Sequence, residues 1–364
     1  MTRVIAVDSS MPDPAAIRDA AAVLRSGGLV AFPTETVYGL GADALSATAV
    51  ARLFAAKGRP PTDPVIVHLS SAEQLDRIAR AVPDAARTLA AALWPGPLTL
   101  ILPKATAIPD AVTAGLSTVA VRVPSHPIAR ALLAEAGMAV AAPSANRFSR
   151  PSPTRPEHVL EDLAGSIDLL IDGGPTTIGV ESTIVDVTAS PPLVRRPGGI
   201  TLDALRSLVP EVHSVVTVAA SDRAQLAPGQ LLRHYAPRAR LVLYIGATDA
   251  LASRVSRDVR TAIAAGERVG VLAPEEDLMA LAPRLAPVGG GGRVVTMRCG
   301  SRADRDEAAR ELFRALRALD AEGVDAIYAT APDGGGIDAA IIDRLTRAAE
   351  GRVVAVDAAN RALD

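Results

Sequence analysis

The chain changes rhythm near Leu241, and that change limits its architecture more than any other feature. From there, short β-branched runs alternate with amphipathic stretches. Strands are predicted at 241–245, 269–272, 293–297, 326–330 and 353–356, and helices at 247–265, from about Glu275, at 304–321 and at 338–349. Short turns join them. Regular β-α alternation predicts a small, mostly parallel, Rossmann-like sheet. No GxGxxG loop follows its first strand, so no dinucleotide is assigned to it. Glycine runs at 289–292 and 334–336 precede a strand and a helix. A phosphate nest and a plain connection both fit them, and the connection is the simpler reading.

The first 210 residues alternate less regularly. Helices are predicted at 15–26, 47–56, 128–135 and 157–163; in the first, Ile17, Ala21 and Leu24 share a face and Gly27-Gly28 ends it. Strands are predicted at 29–33, 65–69, 98–102, 119–123, 139–142 and 169–171. Ser71 and Gln74 have capping-box spacing ahead of a helix toward Ile78. This mixture lacks a strict βαβ order and predicts an α/β domain on a twisted, partly antiparallel sheet. A last strand is expected at 215–218. Residues 219–240 have two prolines and no strong periodicity, which reads as a linker. Leu231, Leu232 and Tyr235 suit a solvated tether poorly, so the linker should lie on a surface. The expected division is a domain at 1–212, a linker at 213–238 and a second domain at 239–364.

Composition narrows the function classes. Of 364 residues, 49% are apolar but only 2% aromatic, so alanine, valine and leucine must fill the cores. A net charge of −2 argues against a surface given over to nucleic acid, though not against a local basic patch. Mean hydropathy is +0.25, yet no run of 18 apolar residues escapes charges and prolines, so no membrane span is expected. The opening MTRVIAVDSS lacks the apolar core of a secretory signal. Cys299 is alone, which excludes an internal disulfide and a cysteine-rich zinc site. A cytoplasmic enzyme is expected.

Short polar motifs cluster at strand ends, where a rigid scaffold holds binding groups. FPTETVYGLG at 32–41 places Thr34, Glu35, Thr36 and Tyr38 after a strand. Its hydroxyls and carboxylate suit an amino acid's ammonium and hydroxyl; a strand-to-helix turn capped by Thr34 is the plainer alternative. Lys57-Gly58-Arg59 ends a helix, where cations are favourable through the dipole alone. With glycine between them they also suit a polyphosphate, lysine as point charge and arginine as fork. His68 closes an apolar strand and reads as a core histidine or a pocket residue, with no second ligand at zinc spacing. Ser144 and Asn146 follow another strand and suit a phosphate, a ribose or a turn. Glu181, Ser182 and Thr183 precede a strand, and Arg195 and Arg196 end the next. Arg147, Arg150 and Arg155 read mainly as a solvated rim. There is no GxSxG elbow and no Walker A loop.

These motifs resemble the YrdC/Sua5 family, the L-threonylcarbamoyladenylate synthases, in the long two-domain form. WPGPLT at 94–99, RVPSHP at 122–127, DGGPTTIGVESTIVD from Asp172 and RRPGGI ending at Ile200 extend the resemblance along nearly the whole chain. It implies a twisted mixed-sheet YrdC-like domain followed by the smaller parallel one. It also implies ATP-dependent synthesis of L-threonylcarbamoyl-AMP and diphosphate from L-threonine and bicarbonate. Mg²⁺ would enter with ATP, and no metal ligand is assigned to the protein. The product would pass to a tRNA threonylcarbamoyl-transferase complex acting on adenosine 37 of tRNAs that read ANN codons; direct contact with tRNA would be weak. The resemblance places threonine at Thr34, Tyr38, His68 and Ser182. It places the nucleotide at Lys57, Arg59, Arg122, Ser144, Asn146, Arg196 and Tyr235, with Lys57, Arg59 and Tyr235 as catalytic residues. Arg233-His234-Tyr235 would belong to a linker that closes over the pocket. Asp338 and Asp343 depart from the expected tail motif, which has asparagine at the second position, and the sequence assigns the second domain no role. The competing readings are a double-stranded RNA or tRNA binder, or a carbamoyl-adenylate-type transferase.

Overall fold

The structure is a computed structural model that describes residues 1–215, 225–229, 231–285, 294–332 and 334–356. The chain divides into two compact units, one of residues 1–148 and 152–231, the other of residues 149–151 and 232–364.

The first unit is built on an 11-stranded mixed sheet. Its strands are β1 (Arg3–Ala6), β2 (Val30–Phe32), β3 (Gly39–Asp43), β4 (Val67–His68), β5 (Leu98–Pro103), β6 (Thr118–Arg122), β7 (Val140–Ala141), β8 (Leu169–Asp172), β9 (Thr183–Asp186), β10 (Leu193–Arg196) and β11 (His213–Ser214). They run in the order β1-β8-β2-β3-β7-β4-β6-β5-β9-β10-β11. Parallel pairs such as β4–β6 and β5–β9 alternate with antiparallel ones such as β2–β3 and β5–β6. Helix Pro14–Arg25 begins at Asp13, whose carboxylate accepts from the amides of Ala15 and Ala16. Its fully buried Ala20 and Ala21 share a core with helix Pro127–Ala136, β2 and β8. A second, larger core holds helices Ala47–Lys57 and Asp84–Leu93. Small side chains let helix and sheet approach closely, which compensates for the scarcity of aromatic rings.

Register lines up the polar residues. His68 pairs with Arg122, Arg122 with Thr99, Thr99 with Ile184, and Ile184 with Arg196. Directly paired residues share a face of the sheet, so four polar side chains form one row across β4, β6, β5 and β10, with Ile184 of β9 between. Two residues along each strand, Ile66, Ala120 and Ile101 join Ile184 in an apolar patch on that face, and Ala227 packs into it.

The second unit carries β12 (Arg240–Gly246), β13 (Val269–Ala273), β14 (Val294–Arg298), β15 (Ala326–Ala331) and β16 (Val353–Val356). All pair in parallel, in the order β14-β13-β15-β12-β16. Helices Thr248–Ala264, Glu275–Leu285, Arg305–Ala321 and Asp338–Ala348 connect them. The expected Rossmann-like alternation is present. Asp343 is ion-paired with Arg344 and Arg347, and all three are buried. Asp338 pairs with Arg305. Residues 334–336 are a connection into the last helix, with Gly336 left-handed at φ +66°. The run at 289–292 lies outside the described residues.

Several expectations need correction. FPTETVYGLG does not lead into a helix; it joins the antiparallel strands β2 and β3. The strand expected at 65–69 pairs only over Val67–His68, because Val65 and Ile66 bond outside any ladder, the Val65 amide to Val112 O and Ile66 O to the Ala142 amide. Ser71 caps nothing; Gln74 Oε1 accepts from the Ser70 amide instead. Of the strand expected at 215–218, residues 216–218 lie outside the described residues; the neighbouring His213–Ser214 form β11.

Candidate active site

The turn between β2 and β3 is organised by Thr34. Its hydroxyl accepts from the amides of Thr36 and Val37, donates to Val37 O at 2.6 Å and lies 2.9 Å from Thr36 Oγ1. Thr34 therefore holds the turn in shape. Tyr38 is fully buried, and its hydroxyl donates to Gly174 O at 2.7 Å and accepts from the Gly173 amide at 3.3 Å. Burial pushes the phenol's pKa far up, so Tyr38 stays neutral and pins the 173–174 loop. Gly173 leaves room there for neighbours: a Cβ would sit 2.5 Å from Ile128 Cδ1 and 2.8 Å from Cγ of the rigid Pro33 ring.

Arg122 is the centre of the row. Its Nη1 donates to Thr36 Oγ1 at 2.9 Å, and its Nε donates to Gly96 O at 3.3 Å. Its Nη2 lies 2.7 Å from Glu35 Oε1, a close charge pair rather than an aligned hydrogen bond. Burial pushes the Glu35 pKa up, but Arg122 and the nearby amides of Glu35 and Ser125 outweigh it and hold the carboxyl below its usual value. His68 is buried, and its ring stands edge-on to Phe32. Burial, and then the Arg122 charge, lower its pKa to about 3, so the ring is neutral at physiological pH. Its Nδ1 lies 3.3 Å from Ile66 O. A carbonyl only accepts, so the ring proton sits on Nδ1 and Nε2 keeps a lone pair. His126 Nδ1 accepts from the Ile128 amide, and burial lowers its pKa despite Glu35.

The other half of the row is built on Ser182. Ser182 Oγ lies 2.8 Å from Thr99 Oγ1, and Arg196 donates to Ser182 O and Oγ. Arg196 Nη1 also donates to Pro228 O at 3.3 Å. Gly198 lets the exit of β10 lie against the entry of β9: a Cβ there would be 2.3 Å from Glu181 O.

Lys57 ends its helix, and left-handed Gly58 (φ +62°) turns the chain. Lys57 Nζ donates to Ser144 O at 2.5 Å and also to Asn146 O. Ser144 and Asn146 thus hold Lys57 through their carbonyls. Asn146 Nδ2 donates to Arg147 O. Arg59 folds back on its own loop, Nε donating to Asp63 O at 2.9 Å and Nη2 to Pro64 O at 2.6 Å. Its guanidinium also pairs with the Asp63 carboxylate at 3.0 Å. Burial pushes the Asp63 pKa up, against the opposing charges of Arg59, Lys57 and Arg196. Three cations thus surround one buried carboxylate.

The N-terminal unit can therefore present a neutral imidazole, hydroxyls and a charge-balanced arginine at one end of the row, and a cationic cluster at the other. That pairing suits a small polar amino acid beside a polyphosphate. Tyr235 belongs to the other unit. Its backbone is left-handed at φ +59°, its buried ring lies 5.5 Å from Phe313, and the Arg344 guanidinium stands 5.2 Å over it.

A family profile described as "Telomere recombination" matches residues 22–198, and one described as "Threonylcarbamoyl-AMP synthase, C-terminal domain" matches residues 200–350. The threonylcarbamoyl-AMP synthase of Pyrococcus abyssi is 43% identical over 93% of this chain and 96% of its own length. The chain belongs to the threonylcarbamoyl-AMP synthase family, in its two-domain form. The Bacillus subtilis synthase is also 43% identical, over 93% of this chain and 94% of its own. A crystal structure of the P. abyssi synthase complexed with L-threonine superposes with a TM-score of 0.88, at 41% identity, over 98% of this chain and 100% of that one.

Sequence reasoning missed Asp63 altogether and gave Thr99 and His126 no role of their own; it offered the Glu35 carboxylate and the Thr36 hydroxyl to an amino acid, and in the structure both face Arg122. Asp63 had a signal: it stands four residues after Arg59, between Pro61 and Pro64, in a loop too stiff to point it elsewhere. Thr99 and His126 were visible only inside WPGPLT and RVPSHP. Register, not spacing, brings Thr99 beside Arg122.

Proposed function

We infer that this chain makes L-threonylcarbamoyl-AMP and diphosphate from L-threonine, bicarbonate and ATP, and so supplies the threonylcarbamoyl group for tRNA. The observation that carries this reading is the row of His68, Arg122, Thr99 and Arg196 in one register on the N-terminal sheet of a family member. In this reading threonine lies near Thr34, Tyr38, His68 and Ser182. His68 Nε2 accepts from the threonine hydroxyl. Tyr38 and Thr34 act by fixing the loops that enclose the amino acid. The amine attacks the bicarbonate carbon, a C–O bond breaks and water leaves with the amine proton, giving a carbamate; a carbamate oxygen then attacks the α-phosphorus of ATP, and diphosphate leaves. Charge grows on the phosphates in the second step, and Lys57, Arg59 and Arg196 offset it. The carbamate is labile in water, which favours a site shielded from solvent.

Among the described residues no group of three or more His, Cys, Asp or Glu side chains is arranged to hold a metal. We read magnesium as part of the MgATP substrate. We assign Ser144, Asn146, Arg122 and Tyr235 to the nucleotide side, a cytoplasmic location to the enzyme, and its product to a tRNA threonylcarbamoyl-transferase complex. The RNA-binding reading gains no support from the arginine cluster: Arg147 Nε donates to Asp162 O, and Arg150 pairs with Asp320.

The test is diphosphate release from ATP with threonine and bicarbonate, each omitted in turn. Release requires all three. Release that persists without threonine overturns the reading.

A further inference from the structure

We propose that Asp63 is a positioning residue for the triphosphate: it holds the Arg59 guanidinium in the empty site and takes up a proton when the phosphates claim that cation. The proposal rests on the ATP-binding role inferred above. It starts from geometry. Asp63 is 0% exposed, and neither carboxylate oxygen accepts a hydrogen bond. Its ion pair is with Arg59, at 3.0 Å. The loop from Pro60 to Pro64 carries three prolines, which stiffen the backbone that presents Asp63. Arg59 meanwhile donates to the carbonyls of Asp63 and Pro64, so guanidinium and loop hold each other.

The charged groups that face Asp63 come from three places. Lys57 ends the helix Ala47–Lys57, Arg59 begins the loop, and Arg196 ends β10. All three are cations, and together they make a buried carboxylate tolerable. The same cations are the ones that would meet the triphosphate. When it arrives, their charge is shared with phosphate oxygens, and a new negative charge stands near Asp63. A carboxylate that loses its compensation while buried protonates. Burial already raises its proton affinity in the empty site. The proton comes from solvent, converts the carboxylate to a neutral carboxyl group, and returns when the nucleotide leaves. Nucleotide binding therefore consumes protons. Because bound Asp63 has the higher pKa, affinity is fully present below the free-state value. It falls as pH rises toward the bound-state value, by at most about tenfold per pH unit.

The experiment is calorimetry of MgATP binding to the full chain at several pH values. Each pH is measured in two buffers of different ionisation enthalpy, without threonine and with magnesium saturating, so that the terminal phosphate does not titrate. The wild type should take up a fraction of a proton per nucleotide. Asp63→Asn keeps the shape and removes the titration, so it should take up none, and its affinity should become flat with pH. Asp63→Ala should also take up none but bind more weakly than Asp63→Asn, because Arg59 loses its support. Binding by the wild type with no proton uptake overturns the proposal whatever the variants do. Unchanged uptake by Asp63→Asn also overturns it. Failure of the wild type to bind MgATP at all strikes the inferred function instead, which keeps the two failures apart.

Discussion

Two buried carboxylate–guanidinium pairs lie in the same sheet domain, yet they behave oppositely. Glu35 beside Arg122 is held below its usual pKa; Asp63 beside Arg59 is pushed above its own. The separations, 2.7 and 3.0 Å, do not explain the difference. The surroundings do. Glu35 has backbone amides near it as well as a cation. Asp63 has the Arg59 charge at 3.0 Å, but Nε and Nη2 of Arg59 donate to the carbonyls of Asp63 and Pro64, and no backbone amide supports the Asp63 carboxylate. Burial favours the neutral acid in both cases; for Glu35 the Arg122 charge and the nearby amides outweigh it, and for Asp63 the surrounding cations do not. The Glu35–Arg122 pair is a settled structural charge. The Asp63–Arg59 pair, under the proposal above, is poised to change partners.

The comparison is easiest to break at Arg122. Arg122→Ala should strand ionised Glu35 and cost roughly 3–5 kcal/mol of stability, read by urea unfolding at neutral pH. A loss below that of Arg59→Ala would show that Glu35 does not depend on Arg122. Arg59→Ala should instead act on the ligand, weakening ATP by about 2–5 kcal/mol with a smaller effect on threonine, read by calorimetry. Its stability cost should be the lesser of the two, because Asp63 can protonate. Thr36→Val removes one acceptor from Arg122 and should cost about 1–3 kcal/mol of stability while ATP binding is kept. The smallest effects are those of pH. Glu35 is depressed, so its contribution is present above the ordinary glutamate pKa and lost as pH falls through the lower folded value. Asp63 is raised, so its contribution is present below the ordinary aspartate pKa and lost as pH rises through the higher folded value. Glu35→Gln should therefore destabilise at neutral pH and Asp63→Asn should stabilise, in the same unfolding assay. Shifts of equal sign would erase the contrast.

The parallel domain was legible almost residue by residue, because β-branched runs and amphipathic helices alternate there without competition. The mixed domain was legible only in outline. β3 is built on Gly39-Leu40-Gly41-Ala42, a composition that carries little strand preference, and it takes shape because β2 and β7 flank it. Helix Asp84–Leu93 is alanine-rich and follows Val82-Pro83, with no side-chain cap to announce it. In the site, the positively charged members stood out because each sits in a short motif. How they are used did not. Lys57 is held by the carbonyls of Ser144 and Asn146, and main-chain acceptors leave no mark on residue type. Asp63 was invisible as a charge centre because two of its cations, Lys57 and Arg196, are brought near it only by the fold.

The wide sequence separation inside the polar row has a consequence for how the enzyme is born. Tyr38 waits for Gly174, which is 136 residues further along. Thr36 waits 86 residues for Arg122, and Thr99 waits 83 for Ser182. At roughly 5–20 residues per second, the first of these intervals lasts on the order of ten seconds at the ribosome. Until β9 and β10 emerge, the edge of β5 lacks its partner and the apolar patch of Ile66, Ile101 and Ala120 has no lining from Ile184. Nascent chains of this enzyme should therefore recruit chaperones through that strand edge and lose them once Arg196 has cleared the exit tunnel.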